Sequence, residues 1–105
     1  MHIPSGLTEK TRQYIALLLE VLRRVGVLHI RGLAKYMSEA TGRKVDPKTV
    51  SRIVYGYLRY FVDVERVEQI GSVVKAIRLK PGKENTTLDD VLKYLEVQRK
   101  IRSPK

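Results

Sequence analysis

The chain has 105 residues, no cysteine, and 21 Lys and Arg against 11 Asp and Glu, which gives a formal net charge of +10. The lack of cysteine excludes disulfides, thiolate metal sites and thiol catalysis, and the length favours a single domain over residues 1–105. Such an excess of positive charge attracts polyanions, most commonly nucleic acid. The alternative is that the charge serves only to keep the protein soluble. No apolar run is long enough to cross a membrane and no secretory segment opens the sequence, so we expect a cytoplasmic protein without a membrane partner.

The first predicted element is a helix that begins after Thr8, a good N-cap residue, and ends at Gly26. Ile15 and Leu19 widen its apolar surface to about half of the circumference, which is more than one core contact requires. We therefore expect this helix to face two partners. The residues that define its main apolar stripe are Tyr14, Leu17, Leu18, Val21, Leu22 and Val25.

A short β-prone run, "VLHI" at residues 27–30, predicts one strand. Residues 31–42 then predict a second helix that closes with Gly42. Asp46 is a good N-cap residue for a third helix, in which Pro47 occupies the first position. We expect this helix to run to about Tyr60 or Phe61, although Gly56 in its middle costs about 1 kcal/mol relative to alanine.

The third helix has two different faces. On a helical wheel, one face carries an apolar stripe that we assign to the core: Val50, Ile53, Val54, Tyr57 and Phe61. The opposite face brings Lys48, Arg52, Tyr55 and Arg59 within about 60° of one another, without an acid after Asp46. A face that only aids solubility would more often include acids for pairing at i+4, so this face indicates an anionic partner.

Residues 61–69 and 73–80 are β-branched, partly alternating runs on either side of Gly71, and they predict a β-hairpin. Thr87 and Asp90 then form the pattern of a capping box that opens a fourth helix over residues 86–102. This helix has one apolar face for the domain core. We predict that its second apolar face, together with the surplus apolar side of the first helix, joins two copies in a homodimer. The alternative is that this second face is a short apolar strip exposed to solvent. The residues assigned to this second face are Tyr94, Val97 and Ile101.

Residues 32–58, "GLAKYMSEATGRKVDPKTVSRIVYGYL", resemble the helix-turn-helix of winged-helix DNA-binding proteins of prokaryotic or archaeal type. In that family a Leu-Ala pair opens the second helix, as Leu33-Ala34 do here, and a Thr-Val-Ser-Arg stretch opens the recognition helix, as residues 49–52 do here. The resemblance covers residues 8–82 and implies an α+β fold: a winged helix-turn-helix, with a three-helix core and a β-hairpin wing, plus a C-terminal helix. Two features depart from the family, namely a long connection at residues 41–47 and a tyrosine-rich third helix.

The resemblance implies sequence-specific binding of double-stranded DNA by a transcriptional regulator, with residues 46–61 in the major groove and the hairpin at 62–80 as the wing. The first two turns of such a helix reach base edges, whereas later residues meet phosphate, and cations before the helix clamp the backbone. On the wing, cross-strand pairing with Asp63, Glu65 and Glu68 is an equal alternative to DNA contact. The predicted DNA-binding residues are Arg43, Lys44, Lys48, Thr49, Ser51, Arg52, Tyr55 and Arg59, with Lys75 near the wing tip and Arg78 further along.

Two other functions remain open at this point. One is an architectural or chromatin protein that binds DNA without sequence preference, and the other is a winged-helix module that binds protein or RNA. His2 and His29 lie apart from any acidic cluster, so we predict no metal site, no cofactor and no enzyme activity. The single Asn, the lack of Cys and the high Lys and Arg content are typical of a thermophile, and we expect association with the nucleoid.

Overall fold

The computed structural model describes residues 7–69 and 71–102, so the predictions for His2 and for the last three residues fall outside it. The described residues form an α+β fold of four helices and three strands, which agrees with the predicted class and order. In chain order the elements are α1 (Glu9–Val25), β1 (Val27–His29), α2 (Ile30–Thr41), α3 (Pro47–Tyr57), β2 (Val62–Gln69), β3 (Ser72–Leu79) and α4 (Leu88–Arg102).

The three strands form an antiparallel sheet in the order β1-β3-β2. Gly71 turns the hairpin between β2 and β3 with a φ of 79°, a left-handed conformation that glycine adopts without steric cost. Ile77 on β3 lies opposite Val64 on β2 and Leu28 on β1, and its side chain is completely buried. Because side chains alternate along a strand, this register defines an inner face of the sheet that packs against the helices.

Helix α1 lies at the centre of the domain and contacts α2, α4, β1 and β3. Its N-terminus is capped by Thr8, whose hydroxyl oxygen accepts a hydrogen bond from the Thr11 amide at 3.1 Å, as predicted. Ile15 and Leu19 are 0% and 1% exposed. The wide apolar surface of α1 is therefore covered by elements of its own domain. The prediction that its surplus side packs against a second copy of the chain is wrong for these two residues.

The long connection between α2 and α3 is fixed by a serine. The Ser38 hydroxyl donates to the Ala34 carbonyl at 2.8 Å and accepts from the amide of Val45, also at 2.8 Å. Val45 itself is buried. These bonds connect the last turns of α2 to the residue before the N-cap of α3, so the extra length of the connection does not loosen the start of α3.

Helix α3 begins as predicted, with Pro47 in its first position, and ends earlier than predicted. Asp46 occupies the N-cap position, but its side chain makes no capping hydrogen bond. The helix ends at Tyr57 and not at Tyr60 or Phe61, because Leu58 turns the chain with its side chain fully buried. The Phe61 carbonyl then accepts a hydrogen bond from the Lys80 amide at 3.0 Å, which draws Phe61 to the end of the sheet.

Helix α4 begins with the predicted capping box. The Thr87 amide donates to the Asp90 carboxylate at 3.0 Å, and the Asp90 amide donates to the Thr87 hydroxyl at 3.3 Å. The loop before it is held by Arg23 of α1, whose guanidinium donates to the carbonyls of Glu84 and Thr86. Loop and cap together fix the position at which α4 packs on α1.

Tyr94 does not lie on the free face of α4 to which it was assigned. Its ring stacks on Tyr60 with centroids 4.4 Å apart and meets Phe61 edge-on at 5.5 Å. Aromatic contacts of this kind explain the difference, because they partly bury Tyr94 against the turn that follows α3. Val97 and Ile101 remain as the exposed apolar residues of this helix, at 52% and 66%.

Replacing Ser38 by alanine tests the α2–α3 connection. We expect Ser38→Ala to lower the free energy of unfolding by about 1 kcal/mol, because the buried Val45 amide loses its partner. The matched control is Ser51→Ala, which removes a helical hydroxyl with no hydrogen-bond partner among the described residues. Urea unfolding measures both, and an equal loss in the two variants would contradict the role of Ser38.

Candidate nucleic-acid interface

The outward side of α3 is set by the burial of its other side. Val50 and Val54 are fully buried and Ile53 nearly so, which leaves Lys48 and Arg52 exposed on the opposite side. Three further residues predicted to bind DNA line the same helix and are half-buried: Thr49, Ser51 and Tyr55. A buried apolar stripe therefore presents the polar residues of the first two turns of α3 to a partner.

Two clefts flank α3, and each carries three basic side chains. The cleft between α3 and the sheet is lined by Arg31, Lys48 and Lys75, together with Ser51. No acidic residue is among the described residues that line this first cleft. The positive charge of α3 therefore continues onto its neighbours on the sheet side.

The second cleft lies between α3 and the start of α1. Lys10, Lys44 and Arg52 line it, with Thr49 between the cations and Asp46 as the one acid on its wall. Arg43 is exposed just before Lys44 in the connection to α3. The basic surface thus extends from the sheet, across α3, to the N-terminal end of α1.

Tyr55 joins α3 to the hairpin and to the turn that follows the helix. The Lys75 ammonium lies 5.2 Å from the centre of the Tyr55 ring, and the Arg59 guanidinium lies 5.5 Å from it. Both distances fall within the range of cation–π contacts. Although Arg59 lies beyond the end of α3, the structure still brings it to Tyr55, as the sequence analysis expected from a longer helix.

The wing cations lie on different faces of the sheet. Lys75 has the same orientation as Ile77 and so belongs to the inner face, which Tyr55 also contacts. It sits in the fourth of eight pairs counted from the turn, not near the tip, and directly opposite Arg66. Arg78 pairs with Asp63 on the outer face. The predicted wing residues are therefore not brought together.

No ion pair within the described ranges neutralises the wing cations. The two ion pairs found there join Arg24 to Glu20 and Lys93 to Asp89, each within one helix. Lys75 and Arg66 are like charges at directly opposed positions, an arrangement that destabilises a hairpin. An anionic partner on the inner face would remove this repulsion.

Sequence reasoning missed three cations of this surface: Lys10, Arg31 and Arg66. Arg31 opens the second predicted helix, and it joins this surface only because the sheet lies beside it and completes the cleft that it lines. Arg66 was overlooked because its strand is rich in acids. Arg66 lies two residues after Val64, which packs on the core, and side chains two residues apart on a strand point to the same face. This spacing is the signal that places Arg66 on the inner face.

The described residues contain no group of three or more His, Cys, Asp or Glu that could hold a metal ion. His29 has a packing role instead, since a Cβ added at Gly32 would come within 2.9 Å of the His29 ring. Within the described ranges, none of the helices combines the length and the apolar character that a membrane crossing requires.

Comparison with known proteins finds a likeness among solved structures. No protein-family model matches the chain, and no curated protein matches it. Among solved structures, it is similar to the crystal structure of the "putative transcriptional regulator TA0346 from Thermoplasma acidophilum", with 21% identity over 85% of this chain and 88% of that one, and a TM-score of 0.52. This likeness supports the fold.

A double-mutant cycle tests the contact between Tyr55 and Lys75. We expect Tyr55→Leu and Lys75→Met to couple by about 0.5–1 kcal/mol in the free energy of unfolding, the size of a cation–π contact. The control cycle pairs Tyr55→Leu with Arg78→Met on the outer face, where we expect no coupling. Urea unfolding measures both cycles, and similar coupling in the two would show that the effect is not local to the Tyr55 ring.

Proposed function

We propose that this chain is a winged-helix protein that binds double-stranded DNA as a sequence-specific transcriptional regulator. In this proposal α3 enters the major groove and the hairpin of β2 and β3 acts as the wing. The observation that carries the proposal is the cationic side of α3, which continues into a basic cleft on each side of the helix. The likeness to a structure named as a transcriptional regulator supports it at the level of the fold.

The residues on the first two turns of α3 suit base recognition. An α-helix fits the major groove of B-DNA, where Arg and Lys bond guanine, and Ser and Thr bond several bases or phosphates. Arg52 is exposed near the middle of α3, and Lys48 lies one turn before it. We assign the reading of bases to the four polar residues of this part of the helix: Lys48, Thr49, Ser51 and Arg52.

The cations around α3 suit contact with phosphates. Arg43 and Lys44 precede the N-terminal end of the helix, whose dipole also attracts anions. Arg59, held beside Tyr55 after the helix, extends the same surface at its other end. Neutralisation of several phosphates releases counterions, so the binding constant should fall steeply as the salt concentration rises.

The wing contact is proposed for Lys75 and Arg66 of the inner face. These two cations oppose each other without a carboxylate partner in the described parts of the chain, and Lys75 lies beside Tyr55 of α3. A phosphate between them would relieve their repulsion. Arg78, which was predicted for the same role, faces the other way and lies opposite Asp63, so we do not include it in this contact.

Arg52→Ala tests the proposed function. We expect it to weaken binding to a duplex selected from a random pool by about 1–3 kcal/mol and to relax the base preference at one position. Arg24→Ala, which removes the same charge from the far end of α1, serves as the control and should change affinity little. Fluorescence anisotropy at several salt concentrations measures both variants, with random duplex as competitor. An equal loss in the two variants, or equal competition by random DNA, would contradict sequence reading by α3.

The homodimer stays a prediction, and the structure narrows the surface that could form it. Ile15 and Leu19 of α1 are buried and Tyr94 is partly buried against Tyr60, so the exposed apolar residues left for this face are Val97 and Ile101. If this face pairs two copies, the two α3 helices would address successive major grooves about 34 Å apart, and the binding sites would be palindromic.

Sedimentation equilibrium tests the dimer with the double variant Val97→Glu and Ile101→Glu. We expect the wild type to sediment as a dimer and the variant as a monomer, because two carboxylates cannot be buried without a partner. The control is Lys93→Glu together with Lys100→Glu, which adds acids to α4 without altering its apolar residues. A wild type that is monomeric at all concentrations would show that the face is an exposed strip.

A further inference from the structure

A third cleft lies under the C-terminal half of α4, where this helix passes over the end of α3. Its volume is about 340 Å³, and neither of the basic clefts beside α3 includes its α4 wall. This size falls near the lower end of the range for small-molecule sites. The side chains and backbone that matter most on its wall are Gly56, Arg59, Tyr60, Tyr94, Leu95 and Arg99.

Gly56 has no role in packing that the fold requires. It is the second-last residue of α3, a helical position at which glycine is less favourable than alanine, and a Cβ added to it would meet no heavy atom within 4 Å beyond its chain neighbours and the backbone of its own helix. Alanine would therefore fit the chain and stabilise the helix. What glycine provides is a stretch of bare backbone on the wall of the cleft, against which a ligand can approach closely.

The chemistry of the cleft is aromatic and cationic. Tyr60 and Tyr94 form a parallel stack with centroids 4.4 Å apart, and Leu95 adds an apolar side chain. Arg59 and Arg99 supply two guanidinium groups, whose planar forks bind carboxylates and phosphates in a bidentate manner. None of the described residues that line the cleft is acidic, so no internal carboxylate competes for these two arginines.

We propose that this cleft binds a small organic anion with an aromatic ring. The anionic group lies between Arg59 and Arg99, and the ring lies beside the tyrosine stack and over the backbone of Gly56. In a site of this kind the charged groups orient the ligand, and contact with the apolar wall supplies most of the affinity. Such a site requires both the ring and the charge of the ligand. This requirement distinguishes specific binding in the cleft from a general attraction of anions to a basic protein.

Arg59 connects this site to the DNA-binding surface. Its guanidinium lies 5.5 Å from the Tyr55 ring, which the Lys75 ammonium also contacts, and Arg59 lines the cleft as well. A ligand that takes Arg59 as its counter-ion withdraws a cation from that surface. Bound ligand therefore weakens DNA binding, a consequence that rests on the proposed function, whereas the binding of the ligand itself does not.

Titration of the ¹⁵N-labelled protein by NMR, without DNA, tests the site. The probe is 2-naphthoate, and the comparison compounds are 2-naphthalenemethanol, which keeps the ring without the charge, and inorganic phosphate, which keeps a charge without the ring. We expect saturable shifts for 2-naphthoate that are centred on Gly56 and residues 94–99. Affinity should be weaker by about tenfold or more for each comparison compound. Shifts spread over the whole surface, or equal binding by either comparison compound, would overturn the proposal.

Two variants and a control complete the test. Arg99→Met should weaken binding of 2-naphthoate about tenfold or more, while Lys100→Met, which removes a neighbouring cation that does not line the cleft, should leave it unchanged. Gly56→Ala should raise the Tm by about 4 °C or more and also weaken binding, because the methyl group enters the cleft. Unchanged affinity in Arg99→Met, or a loss of stability in Gly56→Ala, would overturn the assignment. DNA affinity enters none of these measurements, so failure of the proposed function would not affect them.

Discussion

The burial of one side of α3 is the constraint on which the rest of the surface depends. Val50 and Val54 are completely enclosed by the domain, and removing either contact would cost several times the energy of a surface interaction. Because these positions are one turn apart, they fix the rotation of the helix about its axis. Lys48 and Arg52 are therefore directed outward by apolar packing and not by any interaction of their own.

The neighbouring elements extend the surface that this rotation defines. Ser38 holds the connection before α3, so that Lys44 lies beside the helix, and Tyr55 holds Lys75 of the hairpin on its other side. The result is a concentration of positive charge with few acids near it, which repels itself in the free protein. The two clefts beside α3 carry six basic side chains against one acid, so this surface favours an anionic partner.

Local signals in the sequence were sufficient for most element boundaries, since the cap at Thr8, the turn at Gly71 and the box at Thr87 and Asp90 depend on neighbouring residues alone. The end of α3 was not predictable in this way, because Leu58 stops the helix where the chain must join the sheet. The contact of Tyr94 with Tyr60 was not predictable for the same reason, since the two residues are distant in sequence and only the folded chain brings their rings together. Lys10, Arg31 and Arg66 join the candidate site only through tertiary contacts. The spacing of residues along one helix carries no information on such contacts, so these three cations could not be predicted from it.

The most direct measurement of the central claim is the footprint of a duplex on the protein, mapped by NMR chemical-shift changes at low salt. The account predicts that the amides of α3, of residues 43–46 and of the inner face of the hairpin around Lys75 shift together and saturate. The amide shifts at the C-terminal end of α1, and those of the groove between α1 and Tyr36 of α2, should stay unchanged. A footprint centred on α4 or on the outer face of the sheet, or no saturable change at low salt, would contradict it.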